Sequence, residues 1–224
     1  MSMKIRQLHP WNVSAKEAVE IQRELRDRVT LCDTRGPVHL VAGIDVGIPA
    51  GTNTGNAVVA ILSFPQLQIV EVQRASRTLE FPYIPGLLSF REAPVILDAL
   101  EKVNNTPDLI VEDGQGIAHP RGLGIAAHIG VILDMPAIGC AKSHLFGKYA
   151  EPGPERGDST PLLGRSGEQV GSVLRTRTGI KPVFISPGNR IGFESSVRWA
   201  LALAPKYRLP EPIRAAHRLA AEGA

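Results

Sequence analysis

Asp45 interrupts the apolar run VAGIDVGI, and Asp113 closes a second apolar run, DLIVED, just ahead of a glycine-containing loop. Two carboxylates brought side by side repel unless a hard cation or a shared proton offsets them, and oxygen ligands of this kind suit magnesium or manganese. Each aspartate has a plainer reading as the residue that satisfies a turn at the end of a strand. That reading is open for Asp113 before Gly114 and harder to defend for Asp45, which is flanked by Ile44 and Val46. Glu92 is a third carboxylate. Ser89 and Glu92 spell a capping box, but Pro94 has no amide to bond back into the first turn, so the sequence predicts a helix starting with Pro94 at its first position and Glu92 projecting from the helix entrance.

Other groups could act beside these acids. DGQGIAHPRGLG, residues 113–124, places four glycines around His119 and Arg121, where bare backbone amides could approach a ligand; His119 itself reads equally as a solvated loop residue or as a phosphate or metal neighbour. Lys142 follows the apolar run PAIGCA and could meet a phosphate, or could be an ordinary exposed lysine. At helical spacing His217 shares a face with Ile213, Ala216 and Ala220, which makes it either a hydrogen-bonded core histidine or a group reaching toward something polar. Tyr83, between the two prolines of PYIPG, could stack on or wedge between bases, or pack under its own loop.

The elements that must position these residues follow from pattern. Ser14 and Glu17 form a capping box for an outer amphipathic helix carrying Ile21, Leu25 and Val29. After DTRGP come three strand-like runs, VHLVAGIDVGI, NAVVAILSF and QIVEVQRASRTL, with connections short enough for antiparallel neighbours. The helix PVILDALEKV then leads to DLIVED, apolar without alternation and reached through a helix, hence parallel to an earlier strand. If that strand lies beside the first, Asp45 and Asp113 are neighbours. GLGIAAHIGVILDM reads as a helix, PAIGCA as a fifth strand and residues 150–168 as a Gly/Pro-rich surface loop. VGSVLRTRTGIKPVFIS reads as a hairpin turning at Thr178 and Gly179, FESSVRWALALA as a helix, and a last helix begins near Pro210. The sum is one α/β domain over residues 1–224 with a mixed sheet.

Composition agrees with a folded, unexported chain. The 224 residues are 43% hydrophobic and 21% charged with mean hydropathy near zero, and a chain of this length buries roughly 70% of its unfolded surface without a metal or disulfide staple. Cys32 and Cys140 alone build neither a disulfide framework nor a cysteine zinc site, which points to a reducing cytoplasm. No apolar run reaches the ~18–20 residues of a membrane span, and MSMKIRQLHPWN has no signal-peptide core. The net charge of +3 conceals an asymmetry: residues 165–224 hold ten Lys/Arg against four Asp/Glu, a candidate basic patch. Arginines outnumber lysines eighteen to seven, which suits phosphate contacts but equally an arginine-rich proteome.

Taken in order, VAGIDVG, PYIPGLLSFRE, DGQGIAHPRGLGIAAHIG, the KS at Lys142, VLRTR and LPEPIRAAHRLA resemble the endonuclease V family, deoxyinosine-specific nucleases with a ribonuclease H-like fold. The resemblance implies an N-terminal helix, a ribonuclease H-like core and a basic C-terminal part. It also implies hydrolysis of DNA at the second phosphodiester bond 3′ to a deaminated purine, leaving 3′-hydroxyl and 5′-phosphate ends. Carried over by position, Asp45 and Asp113 would bind Mg2+, with Mn2+ as a substitute, while Glu92 and His217 would complete its water shell and orient or deprotonate the attacking water. Lys142 would contact the phosphate near the cut and Tyr83 would fill the gap left by a flipped nucleotide. Gly86, Leu88, Gly114, Gly116 and His119 would belong to the nucleic-acid-binding loops, the amides near Leu88, Gly114 and Gly116 forming the hypoxanthine pocket. The implied partner is DNA containing deaminated bases, with inosine-containing RNA or single-stranded DNA as alternatives, and the chain is expected to act as a monomer in the cytoplasm. Gln115 stands where the family often has His, and Asn189 where GHR is commoner; these departures bear on base preference and DNA grip.

Overall fold

The β-branched runs after residue 38 form β1 (Leu40–Gly47), β2 (Thr54–Ser63) and β3 (Ile69–Thr78), paired antiparallel in a computed structural model that describes residues 3–33 and 36–222. Thr34 and Arg35 of the DTRGP punctuation lie outside the described residues. Helix α2 (Leu88–Leu100) crosses to β4 (Leu109–Glu112), which lies parallel to β1 with Val41 opposite Leu109 and Ile44 opposite Glu112. Helix α3 (Ile125–Leu133) crosses again to β5 (Ala137–Ala141), parallel to β4. Strands β6 (Ser159–Leu163), β7 (Gln169–Leu174) and β8 (Val183–Asn189) complete one eight-stranded mixed sheet in the order β3-β2-β1-β4-β5-β8-β7-β6. The α/β class with a ribonuclease H-like mixed sheet flanked by helices is therefore the observed architecture.

Both faces of the sheet are covered at β4, which is why Leu109, Ile110 and Val111 are apolar in succession. Ala42, Ile44 and Ile110 pack under α2 and α3, whereas Val41, Leu109 and Val111 pack under α4 (Phe193–Ala202) and α5 (Glu211–Ala221). The opening helix α1 (Ala15–Arg26), capped by Ser14 and Glu17 as its sequence predicts, lies outside α2 and α3 and buries Ala18, Gln22 and Leu25 against them.

Two boundaries differ from expectation. Helix α2 begins at Leu88, so Pro94 sits in its interior and Glu92 is a helical residue rather than one at the entrance. The Ser89–Glu92 box does not form; Ser89 is buried and its hydroxyl meets His128, and burial of Phe90, Ala93, Ile96 and Leu97 outweighs the one backbone bond that Pro94 forgoes. The 150–168 stretch contains β6, a strand at the sheet edge, where Pro161 is tolerated because only one side of the strand must pair.

Candidate active site

Parallel pairing of β1 with β4 fixes the geometry of the acids. Because Ile44 faces Glu112, the next residues, Asp45 and Asp113, leave adjacent strands at the same level. Asp45 lies on the α5 face, together with Gly43. A Cβ at Gly43 would fall 2.0 Å from the Pro212 carbonyl oxygen, so this glycine lets the start of α5 rest directly on β1. Helix α5 is thereby seated with His217 beside Asp45, its Nδ1 3.1 Å from Asp45 Oδ2.

His217 is not the inward-facing residue its spacing suggested. Ile213, Ala216 and Ala220 are buried, but His217 is turned about 40° past Ile213 on the helix wheel and lies at the edge of that stripe, with 62% of its side chain exposed. On the opposite side of the pair, Lys142, just after β5, brings its Nζ to 2.5 Å from Asp113 Oδ2. Asp45, Asp113, Lys142 and His217 thus form one charged edge.

Glu92 reaches the same edge from the second turn of α2. Burial, and after it the charge of Asp45, raises its carboxyl to about 7. Burial and the nearby Asp113 also raise Asp45, against the opposing pull of His217 and Lys142. A fourth acid, Glu112, is fully buried on the α2/α3 side of β4, where burial and then the charges of Glu92, Asp113 and Asp45 push it well above the usual carboxylate range. Its Oε2 has no hydrogen-bond partner. Sequence reasoning missed Glu112, although a charged residue inside an otherwise apolar strand is the same signal that singled out Asp45.

Four crowded carboxylates faced by one lysine and one histidine make a donor set of hard oxygens with excess negative charge, which fits a magnesium-like cation. Among the described residues, no three His, Cys, Asp or Glu side chains already converge as a preformed metal cage; Asp113 and Asp45 face Lys142 and His217 instead.

A cavity of about 130 Å³ opens beside this edge, lined by Tyr83, Gly86, Leu88, Ser89, Gln115 and His119 among others. An apolar cavity of about 150 Å³ accommodates benzene, so this one, open on one side, has the scale of a planar heterocycle. Tyr83 stands at its rim, 69% exposed rather than packed under its loop. Leu88 is the first residue of α2, so its amide has no carbonyl one turn back within the helix.

Three residues of the glycine loop have internal partners. The amides of Gly114 and Gly116 are spent on the Glu112 carbonyl and on Ser186 Oγ, and neither glycine lines the cavity. A Cβ at Gly116 would lie 2.0 Å from the Pro187 carbonyl oxygen, so this glycine serves close packing of the loop on β8 rather than ligand approach. His119 is buried with both ring nitrogens engaged, Nε2 donating to the Gly86 carbonyl and Nδ1 accepting from the Arg121 amide; burial and Arg121 lower it to about 4. It holds the Gly86 turn in place and has no nitrogen left for a metal or phosphate.

The cavity wall has a further support. Ser89 Oγ lies 3.1 Å from His128 Nδ1, and His128 Nε2 lies 2.7 Å from His9 Nε2, whose own Nδ1 donates to the Pro10 carbonyl. That last bond fixes the chain of donors: His128 donates to His9, and Ser89 donates to His128. Asn189 is likewise a framework residue, accepting from the Thr30 amide and donating to the Gly130 carbonyl. Several C-terminal cations are also internal. Arg175 and Arg208 bond backbone carbonyls, Arg190 pairs with Asp134, and Arg214 pairs with Glu211 while stacking on Tyr207. The charge excess of this quarter is thus partly spent on the fold.

Comparison with known proteins places this arrangement. The family model described as Endonuclease V matches residues 23–218. A curated relative named Endonuclease V from Nostoc punctiforme is 52% identical over 219 residues, spanning 97% of this chain and 99% of the relative. The crystal structure of the Endonuclease V from Streptomyces avermitilis superposes with a TM-score of 0.90 at 40% identity, covering 100% of this chain and 97% of that one. The Ciona intestinalis Endonuclease V in complex with a 24mer DNA containing an inosine followed by a ribo-adenosine superposes with a TM-score of 0.81 at 25% identity, covering 93% and 96%.

Proposed function

The chain belongs to the endonuclease V family and is a nuclease acting on phosphodiester bonds, and from that premise we propose that it hydrolyses DNA at the second phosphodiester bond 3′ to a deoxyinosine, leaving 3′-hydroxyl and 5′-phosphate ends. The observation that carries this reading is the juxtaposition of a crowded acidic edge, Asp45, Asp113 and Glu92, with a cavity of the size of one base whose rim bears an exposed Tyr83. Two structures of one relative, the Ciona intestinalis Endonuclease V, in complex with inosine-containing DNA support the same substrate class.

In this reading Asp45 and Asp113 would hold Mg2+, or Mn2+ in its place, and the chemistry such an ion would supply is activation of water and neutralisation of charge at the leaving oxygen. Glu92, with its carboxyl near 7, is poised to take a proton from water close to neutral pH. His217 orients Asp45 from the solvent side. Lys142, whose Nζ lies beside Asp113 at the acidic edge, would meet the phosphate. Tyr83 occupies the gap in the duplex while the extruded base enters the cavity at the start of α2.

The test is cleavage of end-labelled oligonucleotides carrying one inosine, as DNA and as RNA, with magnesium or EDTA and with Asp113→Asn as control. A magnesium-dependent nick one nucleotide beyond the inosine, lost in Asp113→Asn with binding retained, is the expected result. Unchanged cleavage by Asp113→Asn would overturn the metal assignment, and a preference for the RNA strand would overturn the choice of DNA.

A further inference from the structure

Gln115 lines the cavity beside the acidic edge and is more than nine-tenths buried. Its amide is oriented by the protein: Nε2 donates to the Ser143 carbonyl at 3.2 Å, and a carbonyl oxygen can only accept, so the other end of the amide is the oxygen. That oxygen, Oε1, is buried and has no hydrogen-bond partner. Leaving a buried acceptor unpaired costs about 1–3 kcal/mol, so its persistence at a ligand-sized cavity calls for a donor from outside the chain.

The other buried polar side chains at the cavity are already committed, and the Tyr83 hydroxyl is exposed at its rim. Gln22 donates to the Gly86 and Leu123 carbonyls and accepts from Arg121; His119 uses both nitrogens; Ser89 gives its proton to His128. Among the described residues, Gln115 Oε1 is the buried side-chain acceptor of this cavity that lacks a partner.

We propose that Gln115 is a specificity-determining residue whose Oε1 accepts the ring N–H of a 6-oxopurine extruded into this cavity. The proposal rests on the deaminated-purine reading above and assigns that reading a discriminating atom. Deamination of adenine converts the 6-amino group to a 6-oxo group and places a hydrogen on N1, which adenine presents as a lone pair. An acceptor aimed at N1 is therefore satisfied by hypoxanthine and faces an acceptor in adenine. Xanthine and guanine carry the same N–H, so Gln115 separates oxopurines from aminopurines and does not itself separate one oxopurine from another.

The experiment compares wild type and Gln115→Met, similar in length but without the acceptor, by fluorescence anisotropy in EDTA. The probes are duplexes carrying deoxyinosine, adenine or the unsubstituted purine of deoxynebularine, which lacks the N1 hydrogen, at one position. Gln115→Met is expected to weaken the inosine duplex about 5- to 30-fold and to change the other two less than about 2-fold. Loss of the Ser143 bond could loosen the 142–145 segment, but loosening lowers all three affinities together, so an equal fall on all three overturns the proposal. A wild-type preference for inosine that survives Gln115→Met overturns the role of Gln115 alone. A wild type that binds inosine no better than adenine overturns the proposed substrate and this inference with it.

Discussion

The acidic edge at the ends of β1 and β4 and the histidine–aromatic wall behind the cavity bury polar groups in opposite ways. In the wall, His9, His128 and Ser89 form a closed donor–acceptor chain among Trp11 and Phe90, and Gln22, Arg121 and His119 are tied to one another and to the Gly86 carbonyl. At the edge, Asp45, Glu92 and Glu112 are desolvated among like charges and Glu112 Oε2 has no partner. Satisfied polar groups make a rigid frame, whereas unsatisfied charges store a demand that a ligand can meet. One region is scaffold and the other is where chemistry is placed.

The sharpest way to break this contrast is to neutralise the edge. Asp45→Asn should remove cleavage of inosine-containing DNA to below detection while raising or preserving the melting temperature of the metal-free protein, because it relieves repulsion with Asp113 and Glu92. A fall of several degrees together with lost cleavage would mean that Asp45 is a structural residue. Added magnesium should raise the melting temperature of wild type and not that of Asp45→Asn.

The two regions should also titrate in opposite directions. His128 is lowered to about 3 and His119 to about 4, chiefly by burial, so below their unfolded value of 6.5 the unfolded chain takes up protons that the folded chain refuses. Their contribution is intact above pH 6.5 and lost as pH falls toward 4 for His119 and toward 3 for His128; by pH 5 the loss is about 2 kcal/mol for each ring. His128→Gln should remove about half of that acid sensitivity, read from denaturant unfolding at pH 7.5 and pH 5. An unchanged slope would show that His128 is protonated in the folded chain.

Glu92 has the reverse sign. Its carboxyl is raised from 4.5 to about 7, so its contribution is present below 4.5 and lost as pH rises through 7. Glu92→Gln should therefore stabilise the metal-free chain at pH 8 by about 2 kcal/mol, discounted from the full shift because the group is partly hydrated, and by little at pH 4.5. Magnesium should shrink the gain at pH 8. A gain of equal size at both pH values would place its origin in packing rather than in charge.

The same contrast explains what was legible in the sequence. Strand order, the parallel β1–β4 pair and the meeting of Asp45 with Asp113 followed from apolar runs and connection lengths, which depend on local periodicity and chain topology. Pro94 misled the start of α2 because the burial of Phe90 and Ile96, a tertiary effect, outweighs one missing backbone bond. The packing of the glycine loop was not legible because Gly116 meets the β8 backbone at Ser186 and Pro187, some 70 residues away in the chain. His217 was placed on the right helix and the wrong side of the stripe edge, a matter of 40° that only the seating of α5 on Gly43 decides. The unpaired Oε1 of Gln115 was invisible, since it depends on Ser143 fixing the amide from 28 residues away.

Tyr83 belongs to neither region and so tests whether the contrast is complete. Its ring is 69% exposed on a turn shaped by Pro82, Pro85 and Gly86, so it contributes little to folding. Tyr83→Ala should leave the melting temperature within about 1 °C, as expected when a surface change alters stability by no more than a few tenths of a kcal/mol. It should weaken binding to an inosine-containing duplex by about 1 kcal/mol, the lower end of a base–aromatic stacking contact, and leave the magnesium-induced thermal shift unchanged. Tyr83→Phe should bind as wild type, because stacking needs the ring and not the hydroxyl. A drop in melting temperature would make Tyr83 part of the scaffold, and a loss of the magnesium shift would tie it to the acids. Only a binding defect that spares both leaves it as a group whose exposed face is reserved for the nucleic acid.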